Sequence, residues 1–191
     1  MKPEIRTERL VLLQNKMGSG FGVTATRDRA ALLFSSIDHD RERLQKRLPW
    51  VAGTKSPADS EAYLERCAEG WASETLFDYS IFLHSGEFVG CGGLHSVSRP
   101  NARAEIGYWI LEAFEGGGYM TEAIAGLTRE AFRDRFHRLE IRCSAENIRS
   151  YAIAERLGFR LEGTLREDSM ENGKLRSTKI YGLLATDPII F

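Results

Sequence analysis

Three consecutive glycines, Gly116, Gly117 and Gly118, sit in the stretch 114–121 (FEGGGYMT) and constrain what the residues on either side can do. An apolar run (105–111, EIGYWIL) precedes the stretch, and an apolar-periodic segment (121–132, TEAIAGLTREAF) follows it. A strand, a glycine loop and a helix start together make a site for an anion. Glycine turns the backbone through positive φ and lets a ligand approach closely. The first N–H groups of the helix have no intrahelical acceptor and point at that ligand, helped by the helix dipole. The spacing is not that of the common nucleotide loops: no G-x-x-x-x-G-K-[ST] is present, and no G-x-G-x-x-G opens a helix here. On the glycines alone, a flexible turn explains the run as well as a phosphate cradle does.

The rest of the chain narrows the choice. Its 191 residues are read as one domain, 1–191, with room for a sizeable core. A formal net charge of −1 argues against bulk electrostatic binding of nucleic acid. No apolar run approaches the length of a membrane-spanning helix, and the start, MKPEIRTERL, has no apolar signal core. Cys67, Cys91 and Cys143 are odd in number and far apart, which suits a reducing cytoplasm better than a disulfide scaffold. His39, His84, His95 and His137 show no metal-ligand spacing with one another or with the cysteines, so no metal is expected.

Periodicity supplies the elements. Residues 5–13 alternate as one strand, with Leu10 and Leu12 on one face and Val11 and Leu13 on the other. Ala30, Leu33, Phe34 and Ile37 recur at helical spacing, and the mixed charges of 38–47 (DHDRERLQKR) read as a solvated helix face. Pro57 opens a second helix over 58–71. Residues 77–84, 88–94 and 104–110 read as an antiparallel meander. Beyond the glycines come a helix with Ile124, Leu127, Ala131 and Phe132 on its buried stripe, and a strand over 139–145. Asn147 then caps a helix over 148–157 that Gly158 ends. Two last strands, 159–165 and 179–184, meet near Asn172-Gly173. The order β-α-α-β-β-β-α-β-α-β-β describes an α+β, or mixed α/β, domain around one central sheet.

Placed in this order, TERLVL (7–12), AEIGYWI (104–110), FEGGGYMTEA (114–123), RLEIRCSAENIRSYAIAERLGF (138–159), LEGTLRE (161–167) and NGK (172–174) resemble one family nearly end to end. It is the Gcn5-related N-acetyltransferase superfamily, in its RimJ/RimL branch of ribosomal-protein-alanine and -serine N-acetyltransferases. The resemblance implies a mainly antiparallel sheet splayed at the acyl-CoA site, with acetyl-CoA as co-substrate. It implies that Glu115, Gly116, Gly117, Gly118, Tyr119, Met120 and Thr121 hold the pyrophosphate, and that the edge at Ile110 and Leu111 pairs with the pantetheine. Cys143-Ser144-Ala145 would form the opposite wall, and Asn147 and Ser150 match the branch's N-x-x-S motif, against the pantetheine and near the thioester sulfur. The loop departs from the family's Q/R-x-x-G-x-G/A at both ends, with Glu115 adding a negative charge and Met120 a bulky side chain.

Transfer needs a neutral amine. A free α-amine has an ordinary pKa of about 7.7–8.0, whereas a lysine side chain near 10.4 demands roughly 3 kcal/mol more help. The resemblance makes Glu162, in LEG, the expected general base, with Glu105 on the fourth strand as its competitor. Both also read as surface or turn carboxylates. The expected acid is Ser150 or a water, because the position that carries a tyrosine in many superfamily members is Ala154 here. Direct transfer requires no acyl-enzyme, so Cys91 and Cys143 are read as core residues. The expected activity is acetyl-CoA-dependent acetylation of a primary amine, either a protein N-terminus or a small molecule. The alternative is an acyl-CoA-binding protein without turnover. The region between the first strand and the second helix, including MGSGFG (17–22) and the LPW turn (48–50), is expected to wall the acceptor. A homodimer is also implied, with the apolar end DPIIF (187–191) as a contact.

Overall fold

The computed structural model describes residues 1–16, 26–171, 173–188 and 190. The MGSGFG stretch and the terminal Ile189 and Phe191 lie outside them. The sheet has eight strands in the order β1-β2-β3-β4-β5-β6-β8-β7. They are β1 (Glu4–Arg6), β2 (Leu10–Gln14), β3 (Phe77–Leu83), β4 (Phe88–Ser98), β5 (Arg103–Ile110), β6 (Arg138–Ser144), β7 (Arg160–Glu171) and β8 (Lys174–Leu184). The helices are α1 (Thr26–His39), α2 (Arg41–Leu44), α3 (Pro57–Ala72), α4 (Tyr119–Arg133) and α5 (Ile148–Arg156).

The expected first strand over 5–13 is in fact a tight hairpin. β1 and β2 pair antiparallel with Arg6 opposite Val11, and the Thr7 N–H donates to Leu10 O at 2.9 Å. The run of Thr7, Glu8 and Arg9 puts polar residues on both faces and so breaks the alternation at the turn. The last two strands run longer than their apolar content suggested. β7 and β8 form one long hairpin whose polar outer half, from Leu165 to Arg176, pairs through the backbone with little burial.

Two cores sandwich the sheet. One lies under α4 and α5, where Ala123, Ile124, Leu127, Ala154 and Leu157 meet Leu10, Leu12, Ile81 and Ile106. The other lies under α1 and α3, where Ala30, Leu33 and Leu64 meet Val11, Leu13, Phe82 and Cys91. Strand β2 is buried on both faces, which is why its LVLL is continuously apolar.

All neighbouring strands are antiparallel except β5 and β6. That parallel pairing covers only Arg103 with Arg138, Ala104 with Leu139 and Glu105 with Glu140. Beyond it, β5 stays with β4 as far as Ile110 opposite Gly90, while β6 stays with β8 as far as Ser144 opposite Thr178. The sheet therefore opens into a V between residues 106–110 and 141–144.

Candidate active site

The glycine loop stands at the mouth of the V. Gly116 and Gly118 adopt φ of +78° and +77°, and Gly118 is the N-cap of α4. The first bond of the helix ladder runs from the Glu122 N–H to Gly118 O at 3.0 Å. The N–H groups of Gly118, Tyr119, Met120 and Thr121 are left outside that ladder, which suits an anion. They line a cavity of about 1040 Å³ together with Ile110, Glu115, Arg149 and Ile153.

The two departures in the loop are resolved by their neighbours. Glu115 accepts from Arg43 Nη1 at 2.7 Å and from Arg149, so its charge is paired. Met120 packs into the α4 core with 4% exposure and does not fill the mouth of the cavity. The charged run 38–47 is accordingly more than a solvated face. Asp40 accepts the Glu112 N–H at 2.7 Å, and Arg43 reaches Asp40, Glu115 and Ile110 O.

Along β5 the backbone groups alternate between β4 and the V. The Leu111 N–H donates to Val89 O and its carbonyl accepts from the Phe114 N–H, both at 3.0 Å. Leu111 therefore has no free backbone group facing the gap, which corrects the expected Ile110–Leu111 edge. The groups that face the gap belong to Tyr108 and Ile110, and Ile110 O already accepts from Arg43 Nη2 at 2.5 Å. Across the V, the Asn147 side chain caps α5 by accepting the Ser150 N–H at 3.3 Å. The Tyr108 hydroxyl donates to Ser150 O at 2.9 Å and lies 3.1 Å from Ser150 Oγ. Burial pushes the Tyr108 phenol up and keeps it protonated.

A second cavity, about 710 Å³, lies on the α1–α3 side of the sheet. It reaches the V at Tyr108, Cys143, Ser144, Asn147 and Ser150. Its floor is glycine: Asp78, Gly93 and Gly107 sit opposite one another on β3, β4 and β5. A Cβ on Gly93 would stand 2.6 Å from Asp78 Oδ1, and one on Gly107 would stand 2.9 Å from His95 Nε2. Trp50 and Trp109, with ring centroids 6.0 Å apart, make an apolar wall. Leu48 and Trp50 of the LPW turn line this cavity. Cys91 is buried core, whereas Cys143 is half-buried and lines the cavity. Burial raises the Cys143 thiol pKa, which opposes a thiolate role.

Glu162 is not in this constellation. Arg138 Nη1 donates to Glu162 Oε1 at 2.7 Å and Nη2 donates to Oε2, at the closed end of the V. The Arg138 hydrogen bonds outweigh desolvation and hold the Glu162 carboxyl below its usual range. It lines neither cavity, which corrects its expected place beside the amine. Glu105 shares a face with Gly107 and Trp109, as alternation predicts, and its Oε1 lies 3.8 Å from His95 Nε2. It does not itself line the cavity; His95 does. Asp78 and His95 were missed. Their signal was the glycine-bearing face of β4 and β5, legible only once the strands are in register.

Residues 23–160 match the acetyltransferase (GNAT) domain family. The chain is 32% identical over 159 residues to YdaF of Bacillus subtilis (strain 168), provisionally named a ribosomal N-acetyltransferase, covering 81% of this chain and 85% of that protein. It is 27% identical over 154 residues to the ribosomal-protein-serine acetyltransferase of Escherichia coli (strain K12), covering 78% and 83%. The fold superposes with a TM-score of 0.83 on the microcin C7 self-immunity acetyltransferase MccE, solved with acetyl-CoA and AMP, at 26% identity over 93% of each chain. The split sheet, the glycine cradle on one side of it and the glycine-floored cavity on the other thus have a common explanation: the chain belongs to the GNAT acetyltransferase family and is an N-acetyltransferase that takes its acetyl group from acetyl-CoA.

Proposed function

We propose that the acceptor is a protein N-terminal α-amine, presented through the cavity on the α1–α3 side to a thioester held in the V. The observation that carries this reading is the charge of that cavity. Arg47, Arg66 and Arg142 face Asp59, Asp78 and Glu171, so the lining is balanced. A polyamine or aminoglycoside site would need net negative charge to concentrate a polycation. A single amine at the end of a peptide needs only one carboxylate-rich corner and an apolar wall, and Trp50 and Trp109 supply the wall. The names of the two ribosomal-protein acetyltransferase relatives support the same acceptor class.

In this reading the N–H groups at the start of α4 bind the pyrophosphate and the gap-facing backbone of Tyr108 and Ile110 aligns the pantetheine. Ser150, fixed by Tyr108, protonates the departing sulfur. The setting is the cytoplasm. A homodimer belongs to the same reading, and Ile190, 64% exposed, offers it apolar surface.

The test is a mass-spectrometric screen with acetyl-CoA across peptides of varied first residue, polyamines, aminoglycosides and AMP-linked amines. We expect acetylation at the peptide α-amine. Acetylation confined to a small molecule would replace this reading, and MccE, solved with AMP, makes a nucleotide-linked amine the second class to watch.

A further inference from the structure

The amine must lose a proton before it attacks, and the carboxylate expected for that work lies elsewhere, bound to Arg138. The acceptor cavity holds another group. His95 is on β4, its side chain is 42% exposed, and its Nε2 stands over Gly107. The next residue along β5, Tyr108, points to the opposite face and holds Ser150. Glu105 Oε1 lies 3.8 Å from the same Nε2, and the Nδ1 atom lies 3.3 Å from Ser96 Oγ. On the other side is Asp78, two residues of β4 away through its register partner Gly93.

Resting on the acetyltransferase reading above, we propose that His95 is the general base of the reaction, with Glu105 as its positioning residue and Asp78 as the second carboxylate that draws the acceptor ammonium into the cavity. Imidazole is the one side chain whose ordinary titration spans neutral pH, so it both accepts a proton and gives it up there. A carboxylate beside it stabilises the imidazolium that forms. The Tyr63 hydroxyl and the Tyr79 N–H, the latter at 2.9 Å, hold Asp78 in place. Burial raises the Asp78 carboxyl, and these donors together with the charge of His95 pull against that rise.

The step balances. His95 Nε2 takes one proton from the ammonium. The amine nitrogen then bonds to the thioester carbonyl carbon, and the C–S bond breaks with its electron pair going to sulfur. A second N–H proton passes through solvent and the Ser150 hydroxyl to that sulfur. The third stays on the amide, and His95 returns its proton to water.

A pH–rate profile on the amine found by the screen tests this. The other ionisable groups lining the cavity are Asp59, Tyr63 and Arg66 on α3, Cys91 on β4, Tyr108 on β5, Arg142 and Cys143 on β6, and the Arg47–Glu171 ion pair. In the wild-type enzyme we expect kcat/KM to fall on the acid side. In His95→Gln that limb should give way to one set by the acceptor amine's own ionisation, with kcat/KM at neutral pH roughly 10²–10⁴-fold lower and the deficit shrinking as pH rises. Coenzyme A affinity by calorimetry should be unchanged, which also checks the fold. In Glu105→Gln the limb should survive while kcat falls with the acceptor KM unchanged, and Glu105→Asp should restore part of the rate. A purely structural Glu105 would leave kcat unchanged. A His95→Gln enzyme with the wild-type rate and limb overturns the proposal. So does a Glu105→Gln enzyme dead at every pH beside a tolerant His95→Gln, which makes Glu105 the base. A wild-type protein that binds coenzyme A but acetylates no amine defeats the transferase reading itself, and this one with it.

Discussion

Glu162 shows how a residue type, a motif position and a role come apart. Its carboxylate is committed on both oxygens to Arg138, whose own pKa is raised first by the Glu162 hydrogen bond. Glu162→Gln keeps the size and one acceptor but removes the charge. We expect kcat within about twofold of wild type and a stability loss below about 1 kcal/mol, since the pair is partly exposed. Steady-state rates and urea melts check both. A hundredfold fall in kcat with unchanged coenzyme A affinity would return the base to Glu162. Ser150, by contrast, stands at the V, with the half-buried Tyr108 phenol on one side and the capping Asn147 on the other.

At the scale of elements, the β1–β2 turn acts as a clamp on the glycine loop. Thr7 Oγ1 donates to Glu122 Oε1 at 2.6 Å, the Arg9 N–H donates to the same oxygen at 2.7 Å, and Arg9 Nε donates to Oε2 at 2.6 Å. Arg9 Nη1 reaches Gly117 O at 2.9 Å, and its guanidinium lies 4.5 Å from the Tyr119 ring centre. The turn comes this close because α4 carries Gly126, where a Cβ would stand 2.8 Å from Thr7 Cγ2. The TERL motif therefore sets the pose of the glycine loop. Arg9→Met keeps the aliphatic stem and loses the fork. Losing ~1 kcal/mol of positioning should weaken coenzyme A binding roughly three- to tenfold, with the acceptor KM unchanged. Calorimetry showing wild-type affinity would mean that the loop holds its pose without the clamp.

For the whole molecule, depressed carboxylates tie distant parts of the chain together. Burial alone would raise Glu122, but the donors Thr7 and Arg9 hold it below its usual range, and Arg138 does the same for Glu162. A carboxyl with a lowered native pKa adds stability above its unfolded value of 4.5 and loses it as pH falls through the native one. Thermal midpoints should therefore hold from neutral pH to about 5 and drop steeply below about 4. In Glu122→Gln the midpoint at neutral pH should be lower and the acid drop shallower. A parallel drop in both proteins would put the acid sensitivity in other groups.

The sequence by itself determined the order of elements from α3 to β8, the glycine cradle at 116–118, the Asn147 cap, the Gly158 stop at φ +78° and the family. Those features are local: a period, a cap or a turn depends on residues a few positions apart, so one chain read in order carries them. Tertiary structure decided the rest. It made a hairpin of residues 4–14, paired the Glu115 charge with Arg43 and Arg149, and moved Leu111 off the free edge. It also tied Glu162 to Arg138 and brought Asp78, His95 and Glu105 together over two glycines. Each of these depends on strand pairing or on side-chain partners distant in sequence, most of them tens of residues away. Shifting β4 against β5 by a single residue would turn His95 to the opposite face, and no local pattern in the sequence specifies that register.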